Sequence, residues 1–260
     1  MNLDGRVCIV TGGAMGNGLG IVKRFLKYGA EVIILDYSDE IFATIDRLAH
    51  PKLSGYKVDI RDKEAINEIV EDIINDFGKI DVLVNNAGVC MLEKFVDMDD
   101  ELRDKHFNIN IIGTWNLTKA VVPHMINNHY GKIVNLSSVT GPMVADSGEV
   151  AYATTKAALL GFTKSLAMEL VNDGINVNAI MPGYILTPMV EAMAKVTNPE
   201  NPQSVVDGIA SGIPMGRLGT IDELGDLAAF LASDASSYIT GQGIVIDGAS
   251  TLPETKVMGV

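Results

Sequence analysis

The chain has 260 residues, 47% apolar and 20% charged, with 20 Lys and Arg against 33 Asp and Glu for a net charge of −13. That balance excludes intrinsic disorder, which needs few apolar residues and dense charge, and 26 Gly without a fixed period exclude a collagen-like repeat. An acidic chain with no run of Lys and Arg repels phosphates, so neither nucleic acid nor an anionic membrane is expected as a partner.

Short β-branched runs at 7–10, 31–35, 57–58, 82–84, 132–136, 176–179 and 244–246 predict about seven strands. They are almost continuously apolar, as in strands covered on both faces of a parallel sheet. Helical segments fill 18–29, 39–49, 62–77, 99–128, 151–173 and 222–233. The βαβα alternation predicts an α/β fold, a doubly wound parallel sheet with helices on both faces. No linker or composition shift divides residues 1–260, which read as one domain. Residues 184–216 break the rhythm with Pro188, Pro199, Pro202 and Pro214 and no strand signal. An insertion of that kind is expected to be a lid over a ligand. Residues 250–260 read as a C-terminal tail.

The start, Met1-Asn2-Leu3-Asp4-Gly5, has neither a basic nor an apolar leader pattern, and no 18 apolar residues run together. A cytoplasmic location is expected. Cys8 and Cys90 form no CxxC pair, and Cys8 reads as a small core residue. The four histidines show no metal-ligand spacing, so no metal is expected.

The first predicted strand runs into Thr11-Gly12-Gly13-Ala14-Met15-Gly16-Asn17-Gly18 before a helix. Glycines there let the backbone approach a pyrophosphate resting on the helix N-terminus. The spacing, Gly12-x-x-x-Gly16-x-Gly18, is neither the common GxGxxG nor a P-loop. Asp36 ends the second predicted strand, where a carboxylate accepts from the adenosine ribose hydroxyls and repels a 2′-phosphate, favouring NAD over NADP. Asp59-Ile60 and Asn85-Asn86-Ala87-Gly88 end the next two, at the sheet edge where such folds take ligands.

Tyr152 and Lys156 stand four apart on one predicted helix and share a face. A free phenol is a poor acid or base at neutral pH. An ammonium about 4 Å away is worth about 4 kcal/mol at an effective dielectric of about 20, enough to draw the phenol far down toward neutrality. Ser138 lies 14 positions before Tyr152, at a strand end, where its hydroxyl can bind a substrate oxygen. Asn110 falls inside a predicted helix, an unfavourable place for Asn that points to a kink and a specific role.

Together these residues resemble the short-chain dehydrogenase/reductase family, over residues 5–250. The resemblance rests on Thr11-Gly12-x-x-x-Gly16-x-Gly18, Asn85-Asn86-Ala87-Gly88, Asn110, Ser138, Tyr152-x-x-x-Lys156 and Pro182-Gly183-x-x-x-Thr187. Segments 138–146 and 250–255 resemble one bacterial subgroup. The resemblance implies a single Rossmann-type domain and a catalytic tetrad of Asn110, Ser138, Tyr152 and Lys156. In it Tyr152 exchanges the proton, Ser138 polarises the substrate oxygen, Lys156 lowers the phenol and binds the nicotinamide ribose, and Asn110 holds a water. It implies cofactor contacts from Gly12, Met15, Gly16, Asn17, Gly18, Asp36, Asp59, Ile60, Asn86, Gly88, Tyr152, Lys156, Ile185 and Thr187. Two departures stand out. Met15 and Asn17 occupy positions where the family commonly has a small polar residue and Ile, and the Ser138–Tyr152 separation is one residue longer than expected.

Ser138, Met143, Val144, Tyr152, Met181, Tyr184, Met189 and Met193 are expected to face the substrate. The methionines suit a moderately hydrophobic secondary alcohol or ketone. The expected activity is hydride transfer between NAD(H) and a small uncharged substrate. A 3-oxoacyl thioester reductase and a non-catalytic NAD-binding regulator are the alternatives, and a methyltransferase would not need the Tyr152/Lys156 pair. The helix at 151–173 is apolar nearly all round and calls for a second subunit as cover; the resemblance implies a homotetramer.

Overall fold

The computed structural model describes residues 1–253; the remainder of the predicted tail, 254–260, lies outside the described residues. Seven parallel strands form the central sheet: β1 (Val7–Thr11), β2 (Glu31–Asp36), β3 (Leu53–Lys57), β4 (Val82–Asn85), β5 (Gly131–Leu136), β6 (Ile175–Pro182) and, at the far edge, β9 (Gly243–Ile246). Their spatial order is β3-β2-β1-β4-β5-β6-β9. The order reverses between β1 and β4, which pair in register from Cys8 opposite Val82 to Val10 opposite Val84. The crevice at the carboxyl ends of those two strands is where open α/β sheets bind ligands.

Alternation along the strands sends successive side chains to opposite faces. Cys8 and Val10 join the core beneath α1 (Gly16–Lys27) and α9 (Ile221–Ala232). Ile9 faces the other core, beneath α3 (Lys63–Phe77), α5 (Thr114–Asn127) and α6 (Val150–Leu170). Both faces are therefore dry, which explains the unbroken apolar strands of the sequence. The remaining helices are α2 (Glu40–Leu48) and α4 (Asp100–Phe107), with α7 (Pro188–Thr197) and α8 (Pro202–Ser211) in the Pro-rich insertion. No helix among the described residues is long and apolar enough to cross a membrane.

Three local expectations need correction. The strand predicted at 57–58 ends where it was thought to begin: β3 is Leu53-Ser54-Gly55-Tyr56-Lys57. It lies at the sheet edge and is only half-covered, so it lacks the continuous apolar signature. The single helix predicted over 99–128 is broken into α4 and α5 by a π-helical turn at Asn108–Gly113. The insertion contains a strand after all. Residues Ile185–Leu186 (β7) pair with Gly219–Thr220 (β8), where a Cβ on Gly219 would lie 2.6 Å from Ile185 Cδ1.

Candidate active site

The glycine turn leaves β1 with Gly12 at φ +63° and Gly16 at φ +55°, both in the left-handed region. Gly18 admits no side chain, because a Cβ there would lie 2.1 Å from the Gly12 carbonyl oxygen. The Asn86 amide closes the other side, donating from Nδ2 to Thr11 O at 2.9 Å and to Gly12 O at 3.1 Å. The resulting cradle is backbone-lined at the N-terminus of α1, which fits a pyrophosphate. Met15 stands at the N-cap position of α1 without a side-chain capping bond and is half exposed. Asn17 Oδ1 is buried with no hydrogen-bond partner among the described residues. Thr187 caps α7 and approaches Gly16, so the insertion meets the turn; Ile185 is buried just before it.

Asp36 accepts from Ala14 N at 3.0 Å and from Ser38 N at 2.9 Å. It thus fastens the glycine turn to the end of β2 while keeping lone pairs for a ribose. Asp59 is differently placed. Arg61 binds both its oxygens, at 2.5–3.0 Å, and holds its carboxyl below the usual range. Ile60 is buried and packs over Gly113.

Buried polar contacts set the position of α6. Asn85 Nδ2 donates to Asn135 Oδ1 at 2.9 Å and Thr118 Oγ1 at 3.0 Å, and Asn135 Nδ2 donates to Thr163 Oγ1 at 2.9 Å. Ser137 Oγ donates to Lys156 O at 2.7 Å. These bonds fix the helix carrying Tyr152 against the ends of β4 and β5.

Lys156 is buried, and its Nζ donates to Leu136 O at 2.7 Å. A Cβ on Gly88 would lie 3.5 Å from that Nζ, so Gly88 lines the ammonium. The ammonium sits 5.6 Å from the Tyr152 ring centroid. Ser138 follows β5, is almost buried, and accepts from Thr140 N at 3.1 Å. Its hydroxyl faces the phenol and favours the phenolate.

Burial dominates the electrostatics of the pair. Burial pushes the Tyr152 phenol up to about 12, against the pull of Ser138, rather than down toward neutrality. Burial also brings Lys156 down to about 8. Desolvation is the largest influence on both groups.

Asn110 lies in the π-helical turn, and both ends of its side-chain amide are hydrogen-bonded. Nδ2 donates to Val89 O at 3.0 Å and Thr155 Oγ1 at 2.9 Å, while Oδ1 accepts from Val89 N at 2.8 Å. Its amide therefore clamps the segment after β4 to α6. Thr155, absent from the sequence reading, passes that clamp to the Tyr152 carbonyl at 2.8 Å. The same segment is held at Met91, whose N–H donates to buried His106 Nε2 at 3.0 Å. The charges of Glu149 and Cys90 also act on the phenol, and no local pattern marked them. Of the expected substrate residues, Met181 is buried at the end of β6. Met143, Val144, Tyr184, Met189 and Met193 are exposed on the loop after β5 and on the insertion.

A family model described as enoyl-(acyl carrier protein) reductase matches residues 12–251. The chain belongs to the short-chain dehydrogenase/reductase family. It is 52% identical over 260 residues to oxidoreductase UcpA of Salmonella typhimurium, covering 99% of both chains. It is 41% identical over 251 residues to the 3-oxoacyl-[acyl-carrier-protein] reductase FabG of Thermotoga maritima, covering 95% of this chain and 98% of that one. Among solved structures it matches L-sorbose reductase from Gluconobacter frateurii, complexed with NADPH and L-sorbose, with a TM-score of 0.92. Identity there is 30%, over 97% of this chain and 99% of that one. As a member of this family the protein is an oxidoreductase that uses a nicotinamide cofactor.

Proposed function

We propose that the protein transfers a hydride between NAD(H) and a small uncharged secondary alcohol or ketone. The observation that carries this reading is the meeting of Ser138, Tyr152 and Lys156 beside the glycine cradle at the β1/β4 crevice. When bound, the nicotinamide ring supplies the hydride acceptor or donor. Gly12, Gly16 and Gly18 would hold the pyrophosphate, with Met15, Asn17, Asn86 and Gly88 beside it. Asp36, Asp59 and Ile60 would border the adenosine, and Ile185 and Thr187 the carboxamide. The choice of NAD over NADP rests on Asp36, whose carboxylate opposes a 2′-phosphate. L-sorbose reductase was seen with NADPH, so the cofactor assay must include both.

In this reading Tyr152 keeps its proton through burial and delivers it from Oη to the substrate oxygen during reduction. Ser138 Oγ orients that oxygen. Lys156 brings a positive charge to the phenolate left behind and to the ribose. Asn110 and Thr155 hold the helix and the loop after β4 in register. Residues 184–216, with α7 and α8, act as the lid over one domain, and Met143, Tyr184 and Met189 line the substrate. Arg217, in the segment just beyond, is spent on Glu223 at 2.6 and 2.9 Å, which leaves little to bind a phosphorylated substrate. The exposed Trp115 ring on α5 and exposed Met168 on α6 support a homotetramer.

Similarity to FabG favours a second reading, reduction of a 3-oxoacyl thioester. The net charge of −13 opposes docking of an acidic carrier. A panel of secondary alcohols, ketones and acetoacetyl-CoA, followed at the NADH and NADPH absorbance, separates the readings. Replacing Tyr152→Phe should cut turnover at least about 1,000-fold while NADH still binds, consistent with a lost proton donor. Normal turnover in that variant, or a clear NADPH preference, overturns the corresponding part of the reading.

A further inference from the structure

His106 is fully buried in the last turn of α4, and the chemistry above makes no use of its ring. Both ring nitrogens meet backbone groups of fixed polarity. Nδ1 lies 2.8 Å from Leu102 O, which can only accept, and Nε2 lies 3.0 Å from Met91 N, which can only donate. Those two partners admit one form of the ring, the neutral imidazole with its proton on Nδ1. Asn110 stands four positions further on, in the π-helical turn, where its Oδ1 accepts from Val89 N at 2.8 Å. The two side chains thus hold alternate amides of the irregular segment that leaves β4.

That segment runs along the site. At its start, a Cβ on Gly88 would lie 3.5 Å from Lys156 Nζ. At its far end Glu93 N donates to Gly148 O at 3.0 Å, four residues before Tyr152. A second proton on the ring would turn Nε2 from acceptor to donor and set it against the Met91 N–H. Among the described residues no charged side chain is hydrogen-bonded to the ring to offset that charge. On α4, Arg103 is paired with Asp100 at 2.7 Å and Asp104 at 2.8 Å, and the π-helical turn carries no charge. The segment itself carries Cys90, Glu93 and Lys94, and α6, which packs on α4, brings Glu149, Tyr152 and Lys156. We propose that His106 is a positioning residue that holds the segment after β4 against the Tyr152–Lys156 site only while its ring is neutral, so that acid releases Met91 and lowers turnover. The ring does this through the backbone, without touching substrate or cofactor. The proposal rests on the oxidoreductase reading.

Amide hydrogen exchange at Met91 and Val89, read residue by residue in the NAD-bound protein at pH 8 and pH 5.5, tests this. Val89 is the internal reference, because the Asn110 amide that holds it does not titrate. Between the two pH values, native Met91 protection should fall about tenfold relative to Val89, the worth of one hydrogen bond. In His106→Gln, whose acceptor does not titrate, the ratio of the two protections should stay constant; in His106→Leu it should be low at both pH values. The native protein and the Gln variant decide the test even where the Leu variant fails to fold. Turnover of the ketone panel should follow, with the native-to-Gln ratio of kcat/KM falling about tenfold from pH 8 to pH 5.5. A constant native Met91-to-Val89 ratio, or an equal fall in the Gln variant, overturns the histidine switch. A constant turnover ratio beside the expected exchange overturns the positioning role. Turnover of no ketone with either NADH or NADPH overturns the oxidoreductase reading, whereas the exchange ratio decides the switch independently.

Discussion

Lys156 shows how burial and function pull against each other at a single residue. Its ammonium is held by one carbonyl, and burial lowers it from 10.5 to about 8. The folded-state value is below the unfolded one, so protonation favours the unfolded chain. The full penalty is present below about pH 8 and disappears as pH rises toward 10.5, so this group makes stability increase with pH in that window. The penalty is on the order of 3 kcal/mol, partly offset by the bond to Leu136 O. Lys156→Met should therefore raise the melting temperature at pH 7 by several degrees and flatten its rise toward pH 10, while turnover falls at least about 100-fold. Calorimetry at the two pH values checks this; a lower melting temperature at pH 7 contradicts it. The identities of Tyr152, Lys156 and Ser138 were legible from spacing. Their protonation was not, because it depends on how deeply α6 is buried and where the ammonium finds its acceptor.

At the scale of elements, the break between α4 and α5 matters most. The sequence flagged Asn110 as a poor helix residue and anticipated a kink, yet the partners that draw its amide away lie 21 and 45 positions distant, at Val89 and Thr155. Thr155 then links that turn to the Tyr152 carbonyl. Thr155→Val keeps the shape and removes the link, so kcat should fall about tenfold with KM little changed, and Thr155→Ser should restore it. Equal losses in both variants would assign Thr155 to packing alone. Edge strand β3 was misjudged for a related reason: half-covered strands carry polar residues, and their pairing partner, β2, supplies what their own sequence does not signal.

For the whole molecule, α6 buries Leu159, Thr163, Ala167 and Leu170 against the sheet side and leaves Met168 exposed at 77%. Trp115 on α5, 54% exposed, meets Phe162 with ring centroids 5.3 Å apart. Such an apolar face is what a second subunit covers. Light scattering should find a tetramer at micromolar concentration, and Phe162→Glu should yield smaller species; a native monomer contradicts the assembly. By itself the sequence determined the α/β class, the sheet's strands except at its β3 edge, the glycine cradle, Asp36 and the Ser138, Tyr152 and Lys156 set, because periodicity and short-range spacing encode these. Only the tertiary structure decided that the Asn110 amide ties Val89 to Thr155, and that Lys156 is buried against the Leu136 carbonyl. Each of those depends on burial and on partners brought together by the fold, and desolvation leaves no mark in local sequence.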